Sequence, residues 1–274
     1  MEAGVILKAA AFDLDDTLLH DDLSISPYTL GVFRRLSEKG FYFIADSGRT
    51  KVSMRPHVEK IGCVSLYIAC NGGEIYDGAT HELLHAENYS MEIAHEIVDF
   101  GAEYNAYAQA YDGEHFYFNQ YSVYSERYAR TSSLSGIYVG DLRKFIREPR
   151  NKILMMAEPD QIAEMLAEAR RRFAGRVSIT CSKPWLLEFN PIRATKGIAL
   201  EFAAKHLGIT VKDIIAFGDS LNDVPMFETA GRSVAVANAW KDVQPLCDEV
   251  CRSNNEDGVA RYLAEHFLPG EALL

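Results

Sequence analysis

The chain has 274 residues, of which 48% are hydrophobic and 24% charged. That is long enough for about two domains with a sizeable core, and ordinary for a globular protein. A formal net charge of −11 argues against a nucleic-acid or anionic-membrane surface, and no stretch approaches the roughly 20 apolar residues of a membrane span.

The hydrophobic run over residues 5–12 leads into a cluster of carboxylates, Asp13, Asp15 and Asp16. It predicts a buried parallel strand ending at the edge where α/β sheets bind ligands. Ser26-Pro27 reads as a cap followed by proline at the first helical position, and Gly40 ends that helix. Residues 41–45 predict a second strand, 51–60 a helix closed by Gly62, and 66–69 a third strand. Asn71-Gly72-Gly73 forces a turn into a short strand over 74–76.

The middle of the chain changes texture. Ser90 caps a helix running to about Tyr104, and residues 106–111 and 114–119 flank Asp112-Gly113, a hairpin signal. A strand over 152–157, a helix over 160–173 and a closing hairpin over 176–181 and 185–189 follow. Alternation then returns, with a helix over 195–207, a strand over 213–217, a helix over 221–228, a strand over 233–237 and a helix over 257–267. The pattern is a parallel α/β core, residues 1–81 and 191–274, interrupted by an α+β insertion over 82–190.

Cys63, Cys70, Cys181, Cys247 and Cys251 include no Cys-x-x-Cys pair and no zinc spacing. They read as buried free thiols, which fits a reducing cytoplasm. The N-terminus lacks the basic region of a signal peptide.

Four short signals fall just past predicted strands or at a helix start: Asp13-x-Asp15-x-Thr17, Ser47-Gly48-Arg49, Lys196-Gly197 and Gly218-Asp219-x-x-Asn222-Asp223. Crowded carboxylates repel one another unless a cation holds them, and a hard divalent ion such as Mg²⁺ is the simplest answer. In this order and context the motifs resemble the haloacid dehalogenase (HAD) superfamily, over nearly the whole chain. The insertion after the third strand is similar to the large cap of the Cof-type, or class IIB, phosphatases. The resemblance implies a Rossmann-like core with an inserted α+β cap.

It also implies roles. Asp13 becomes the nucleophile that forms an aspartyl-phosphate, and Asp15 the general acid and then base, with its backbone carbonyl on the metal. Thr17 would hold Asp15, while Asp16 is a solvated turn carboxylate. Asp219 becomes a metal ligand, and Asp223 a ligand through water or an anchor. Asn222 would bind a phosphate oxygen or orient its loop. Ser47, with amides near Gly48 and Leu14, would donate to the phosphate, and Lys196 would offset the charge of nucleophile and phosphoryl group. Asp46 is a departure, since relatives carry a small or apolar residue there. It should repel substrate unless it pairs, and Arg49 is the candidate partner.

The insertion is rich in aromatics, including Tyr107, Tyr111, Phe116, Phe118 and Tyr128. They read as cap packing or as a stacking surface for a planar leaving group. Glu188 and Asn190 could reach polar substrate groups. The expected activity is a Mg²⁺-dependent phosphatase, monomeric or homodimeric, acting on a sugar phosphate, pyridoxal phosphate or a flavin precursor. A phosphomutase of the same fold and a non-catalytic metabolite binder are the alternatives.

Overall fold

A computed structural model describes residues 7–112, 115–132 and 134–271. Gly113 of the expected hairpin turn therefore lies outside the described residues. The chain builds two sheets. The first is eight-stranded among the described residues, in the order Glu249–Val250, Arg232–Ala235, Ile214–Gly218, Ala9–Phe12, Tyr42–Asp46, Leu66–Ala69, Glu74–Asp77 and Leu83–Ala86.

Its centre is β1 (Ala9–Phe12), buried at every position and paired in parallel on both sides. Period-2 alternation sends Ala10 and Phe12 to one face and Ala9 and Ala11 to the other, so both faces need cover. On the first face lie α1 (Pro27–Glu38) and, later in the chain, the final helix. The Ser26 side chain caps α1 by accepting from the Thr29 N–H at 3.0 Å, as the Ser-Pro signal predicts. There Phe12 meets Phe33 edge-on, while Phe33 stacks on Phe43 of β2 (Tyr42–Asp46) with centroids 4.2 Å apart.

Then come α2 (Lys51–Ile61), β3 (Leu66–Ala69), β4 (Glu74–Asp77) and β5 (Leu83–Ala86). Both β4 and β5 pair antiparallel at the sheet edge. Thus β5 belongs to the first sheet, although the sequence reading begins the insertion at residue 82.

The second sheet has six strands among the described residues, in the order Val177–Lys183, Leu186–Pro191, Ile153–Met156, Tyr107–Asp112, His115–Phe118 and Ser135–Tyr138. Its elements are α3 (Met91–Glu103), β6 (Tyr107–Asp112), β7 (His115–Phe118), α4 (Val123–Ser132), β8 (Ser135–Tyr138), α5 (Leu142–Phe145), β9 (Ile153–Met156), α6 (Pro159–Arg172), β10 (Val177–Lys183) and β11 (Leu186–Pro191). Ile153, Met155, Leu187 and Phe189 point to the face covered by α3 and α6. Their neighbours Lys152, Leu154, Met156, Leu186 and Glu188 line a cavity on the opposite face. The sequence reading does not foresee α4, β8 or α5. β8 is exposed throughout, so no apolar pattern marks it.

The chain then returns to the first sheet with α7 (Lys196–His206), β12 (Ile214–Gly218), α8 (Val224–Thr229), β13 (Arg232–Ala235), β14 (Glu249–Val250) and α9 (Gly258–Phe267). Among the described residues no helix is long and apolar enough to cross a membrane. All five cysteines are free, with Cys70 buried and the others half-buried.

Candidate active site

The carboxyl ends of β1, β2 and β12 meet the N-terminus of α7 and bring the four motifs together. Lys196 is the first residue of α7 and is fully buried. Two glycines let the chain close on it. A Cβ on Gly197 would lie 2.4 Å from the Pro225 carbonyl oxygen, and one on Gly218 would lie 2.5 Å from Asp223 Cγ. Only glycine allows α7 and the Asp223 side chain to approach so closely.

Lys196 Nζ donates to Asp13 Oδ1 at 2.7 Å, to Asp223 Oδ1 at 2.6 Å and to the Asp46 carbonyl at 2.7 Å. All three ammonium hydrogens are thereby used. Burial acts against its charge, but Asp13, Asp223 and Asp46 raise its pKa and hold it protonated. Asp223 Oδ2 accepts from the backbone N–H groups of Asp219 and Ser220 at 2.9 and 3.0 Å. Both oxygens of this fully buried carboxylate are therefore occupied.

Asp13 is 5% exposed. Burial pushes its pKa up to about 7; Lys196 lowers it, while Asp223 and Asp15 add to the rise. Asp219 is pushed up to about 9 by burial first, then by Asp223 and Asp13. Ligand atoms from Asp13, Asp219 and Asp223 lie within 4.8 Å of one another.

Thr17 donates to Asp219 Oδ1 at 3.2 Å, so the expectation that it holds Asp15 is corrected. Asp15 is gripped instead by Arg49, whose Nε and Nη2 each donate at 2.7 Å to opposite carboxylate oxygens. Burial works to raise Asp15, yet the hydrogen bonds and charge of Arg49 bring it below the ordinary carboxylate value. Asp16 is not simply solvated. It adopts the left-handed region, φ 58°, and its carboxylate pairs with Lys183 at the end of β10, which overhangs the site.

The expected pairing of Asp46 with Arg49 is likewise absent, because Asp15 takes that guanidinium. Asp46 is fully buried, and neither carboxylate oxygen has a hydrogen-bond partner. Its side chain is sealed away from the cavity, where it would meet a phosphate. Burial drives its pKa well above the usual value. A carboxyl raised on folding gives its full stability below the unfolded pKa and loses it as pH rises. Asp46→Ala is therefore expected to stabilise the protein by about 1–2 kcal/mol near pH 8 and by less near pH 5. Urea unfolding at both pH values checks this, and a weaker variant near pH 8 would mean that Asp46 is usefully paired.

Ser47 is buried, lines the cavity, and accepts the Arg49 N–H on Oγ at 3.2 Å. The Gly48 carbonyl accepts from Lys152 at 2.6 Å. The Leu14 side chain is buried in the core, leaving its backbone directly after Asp13. Asn222 donates to Asn71 Oδ1 at 3.0 Å and accepts from Ser220 Oγ at 2.6 Å. Its amide ties two loops together.

The cavity between the sheets measures about 480 Å³. Asp13, Asp15, Ser47 and Asp219 line one side, and Lys152, Glu188 and Trp185 the other. Tyr107, Tyr111, Phe116 and Phe118 are buried together with Leu154 and Met156, which is the packing alternative for those rings. Tyr128 and Trp185 face the cavity instead, and the Arg127 guanidinium sits 4.0 Å over the Trp185 ring. Glu188 reaches the cavity, whereas Asn190 is fully buried. Sequence reading missed Lys152, Lys183, Arg127 and Trp185. Alternation along β9 offered the one local signal, for Lys152, since it shares a face with Leu154 and Met156.

Residues 10–263 match the family described as haloacid dehalogenase-like hydrolases. The chain is 29% identical to an HMP-PP phosphatase of Serratia proteamaculans over 265 residues, 95% of each chain. It is 30% identical to a 5-amino-6-(5-phospho-D-ribitylamino)uracil phosphatase of Bacillus subtilis, over 96% of this chain and 97% of the relative. The solved structure of a HAD subclass IIB sugar phosphatase superposes with a TM-score of 0.83 at 20% identity, covering 95% of this chain and 98% of that one. At that identity the likeness speaks for the fold, a Rossmann-like core with an inserted cap.

Proposed function

Since the chain belongs to the haloacid dehalogenase-like hydrolases and is a phosphatase of that family, we propose that it hydrolyses a small phosphorylated metabolite with Mg²⁺, through an aspartyl-phosphate on Asp13. The observation that carries this reading is the Asp13 carboxylate itself. It lies at the end of the central strand, one oxygen held by a fully buried Lys196, on the floor of a cavity whose other side is lined by the second sheet.

In the first step an Asp13 oxygen bonds to phosphorus as the bond to the leaving oxygen breaks, and Asp15 donates a proton to the alcohol. In the second, water attacks the acyl phosphate, Asp15 takes its proton, and phosphate leaves with Asp13 regenerated. Arg49 keeps Asp15 ionised in the resting arrangement, the form needed for the second step. A phosphate dianion entering beside Asp15 raises its proton affinity for the first. Lys196, held on Asp13, offsets the charge of the nucleophile, and the Ser47 hydroxyl, which lines the cavity, donates to the phosphoryl oxygens.

The residues suit a hard cation. Asp13 and Asp219 are carboxylates raised first by burial and then by the negative charge of neighbouring carboxylates. Both Asp223 oxygens are already engaged, so Asp223 serves as the anchor. Asp13, Asp219 and the Asp15 carbonyl would hold Mg²⁺. Bound there, the ion supplies positive charge opposite the transferring phosphoryl group.

The pKa shifts fix the sign of one test. Groups raised on folding contribute stability in full below their unfolded value and lose it as pH rises through the folded one. For Asp13 and Asp219 that window runs up to about 7 and about 9. Saturating Mg²⁺ is expected to raise the melting temperature by several degrees, with a larger gain near pH 8.5 than near pH 5.5. Calorimetry showing no Mg²⁺ effect near pH 8.5 would remove the metal from this reading.

Trp185, Tyr128, Leu154 and Met156 form a partly apolar cap wall that suits a pyridoxal phosphate or flavin precursor as well as a sugar phosphate. The aminouracil phosphatase relative supports the flavin-precursor class. In this reading residues 82–190, less β5, act as the specificity cap of a cytoplasmic enzyme. Phosphate release across a panel of these esters, with Mg²⁺ and with chelator, is the direct test. Isomerised ester with little free phosphate would mark a mutase instead.

A further inference from the structure

The cap delivers one buried ion pair to the core. Lys152 precedes β9 and Glu188 lies on β11 opposite Leu154, on the same sheet face. Lys152 Nζ is 2.5 Å from Glu188 Oε1, and both side chains are almost fully buried. Each also reaches across to a loop of the core.

Lys152 Nζ donates to the Gly48 carbonyl at 2.6 Å. That carbonyl and the Arg49 N–H belong to one planar trans peptide and point in opposite directions. Gripping the carbonyl therefore aims the Arg49 N–H, which donates to Ser47 Oγ. A hydroxyl that accepts there keeps its own O–H for another acceptor, and Ser47 lines the cavity. Glu188 Oε2 accepts from Asn71 Nδ2 at 3.1 Å and from Thr180 Oγ1 at 3.1 Å. The Asn71 N–H donates to the Ser47 carbonyl at 3.0 Å, and Asn71 Oδ1 accepts from Asn222. One cap pair thus contacts the loop after β2 directly and reaches the loop after β12 through Asn71.

We infer that Lys152 and Glu188 are positioning residues for phosphoryl transfer, setting the phosphate-binding loop of Ser47 and the Asn71–Asn222 link from the cap side. The inference rests on the phosphatase reading above. It makes the cap part of the phosphate site as well as a wall for the leaving group. Loss of the pair should then affect every substrate alike, because each shares the phosphoryl group.

The test uses p-nitrophenyl phosphate and pyridoxal 5′-phosphate as substrates and inorganic phosphate as inhibitor. Lys152→Met is expected to lower kcat about 10²-fold on both esters, the scale of a small misplacement of the reacting groups. Inhibition by phosphate should weaken in parallel. Glu188→Gln, which keeps an acceptor for Asn71, should lose less than Glu188→Met. Removing one member strands a buried charge, so Lys152→Met/Glu188→Met separates folding from positioning. It should regain the melting temperature while turnover stays low. Turnover restored in the double variant, a loss confined to one ester, or unchanged phosphate inhibition would overturn the inference. An unaltered protein that releases no phosphate from any ester would instead sink the phosphatase reading.

Discussion

Asp13→Asn is expected to lose at least about 10⁴-fold in kcat on an aryl phosphate, the scale seen when a catalytic nucleophile is removed. The amide has nearly the carboxylate's shape but no nucleophilic oxygen anion. It can still accept from Lys196, which keeps Asp223 as its counter-charge. It also removes one of the mutually repelling buried carboxylates. The fold should therefore survive, and a thermal melt run beside the assay separates lost chemistry from lost structure. Full turnover in a folded Asp13→Asn protein would reject the aspartyl-phosphate mechanism.

Lys196→Met should do two kinds of damage. It leaves Asp13 and the fully buried Asp223 without their shared cation, and the Asp46 carbonyl without its donor. Stranding buried charge in this way costs about 3–5 kcal/mol. Turnover should fall by about 10³-fold as well, since the site loses the ammonium that holds Asp13 and offsets its charge. The sign with pH follows from the carboxylates. Without Lys196, Asp13 is raised further, so stability is lost as pH rises, and the variant should be less impaired near pH 5.5 than near pH 8. Urea midpoints at the two pH values, together with kcat, measure both effects. A variant as stable as the parent near pH 8 would mean that the acidic cluster does not depend on this ammonium.

The positions of the four motifs were readable because each motif is local. A hydrophobic run ending at Asp13 needs only period and composition to be placed at the end of a buried strand, and the same holds for Asp219 after β12. Lys196-Gly197 reads as a helix start, though only packing against Pro225 shows why glycine must follow. The partners were not readable. Arg49 serves Asp15, 34 residues away, not the adjacent strand-end Asp46. Thr17 reaches Asp219, 202 positions along the chain, in preference to its neighbour Asp15. Lys183 finds Asp16 across 167 residues, and Lys152 finds Gly48 across 104.

The sequence by itself determined the family of phosphatases, the parallel core with an insertion, and which acidic, basic and hydroxyl groups gather at the carboxyl ends of the strands. These follow from hydrophobic period and short spacing, which act over a few residues. Only the tertiary structure decided which charge neutralises which, that the Asp46 carboxylate is buried without a hydrogen-bond partner, and that Lys152 of the second sheet grips the loop after β2. Those outcomes depend on burial and on contacts between segments far apart in the chain. A strand's alternation says which face a side chain takes, but not what waits on the other side.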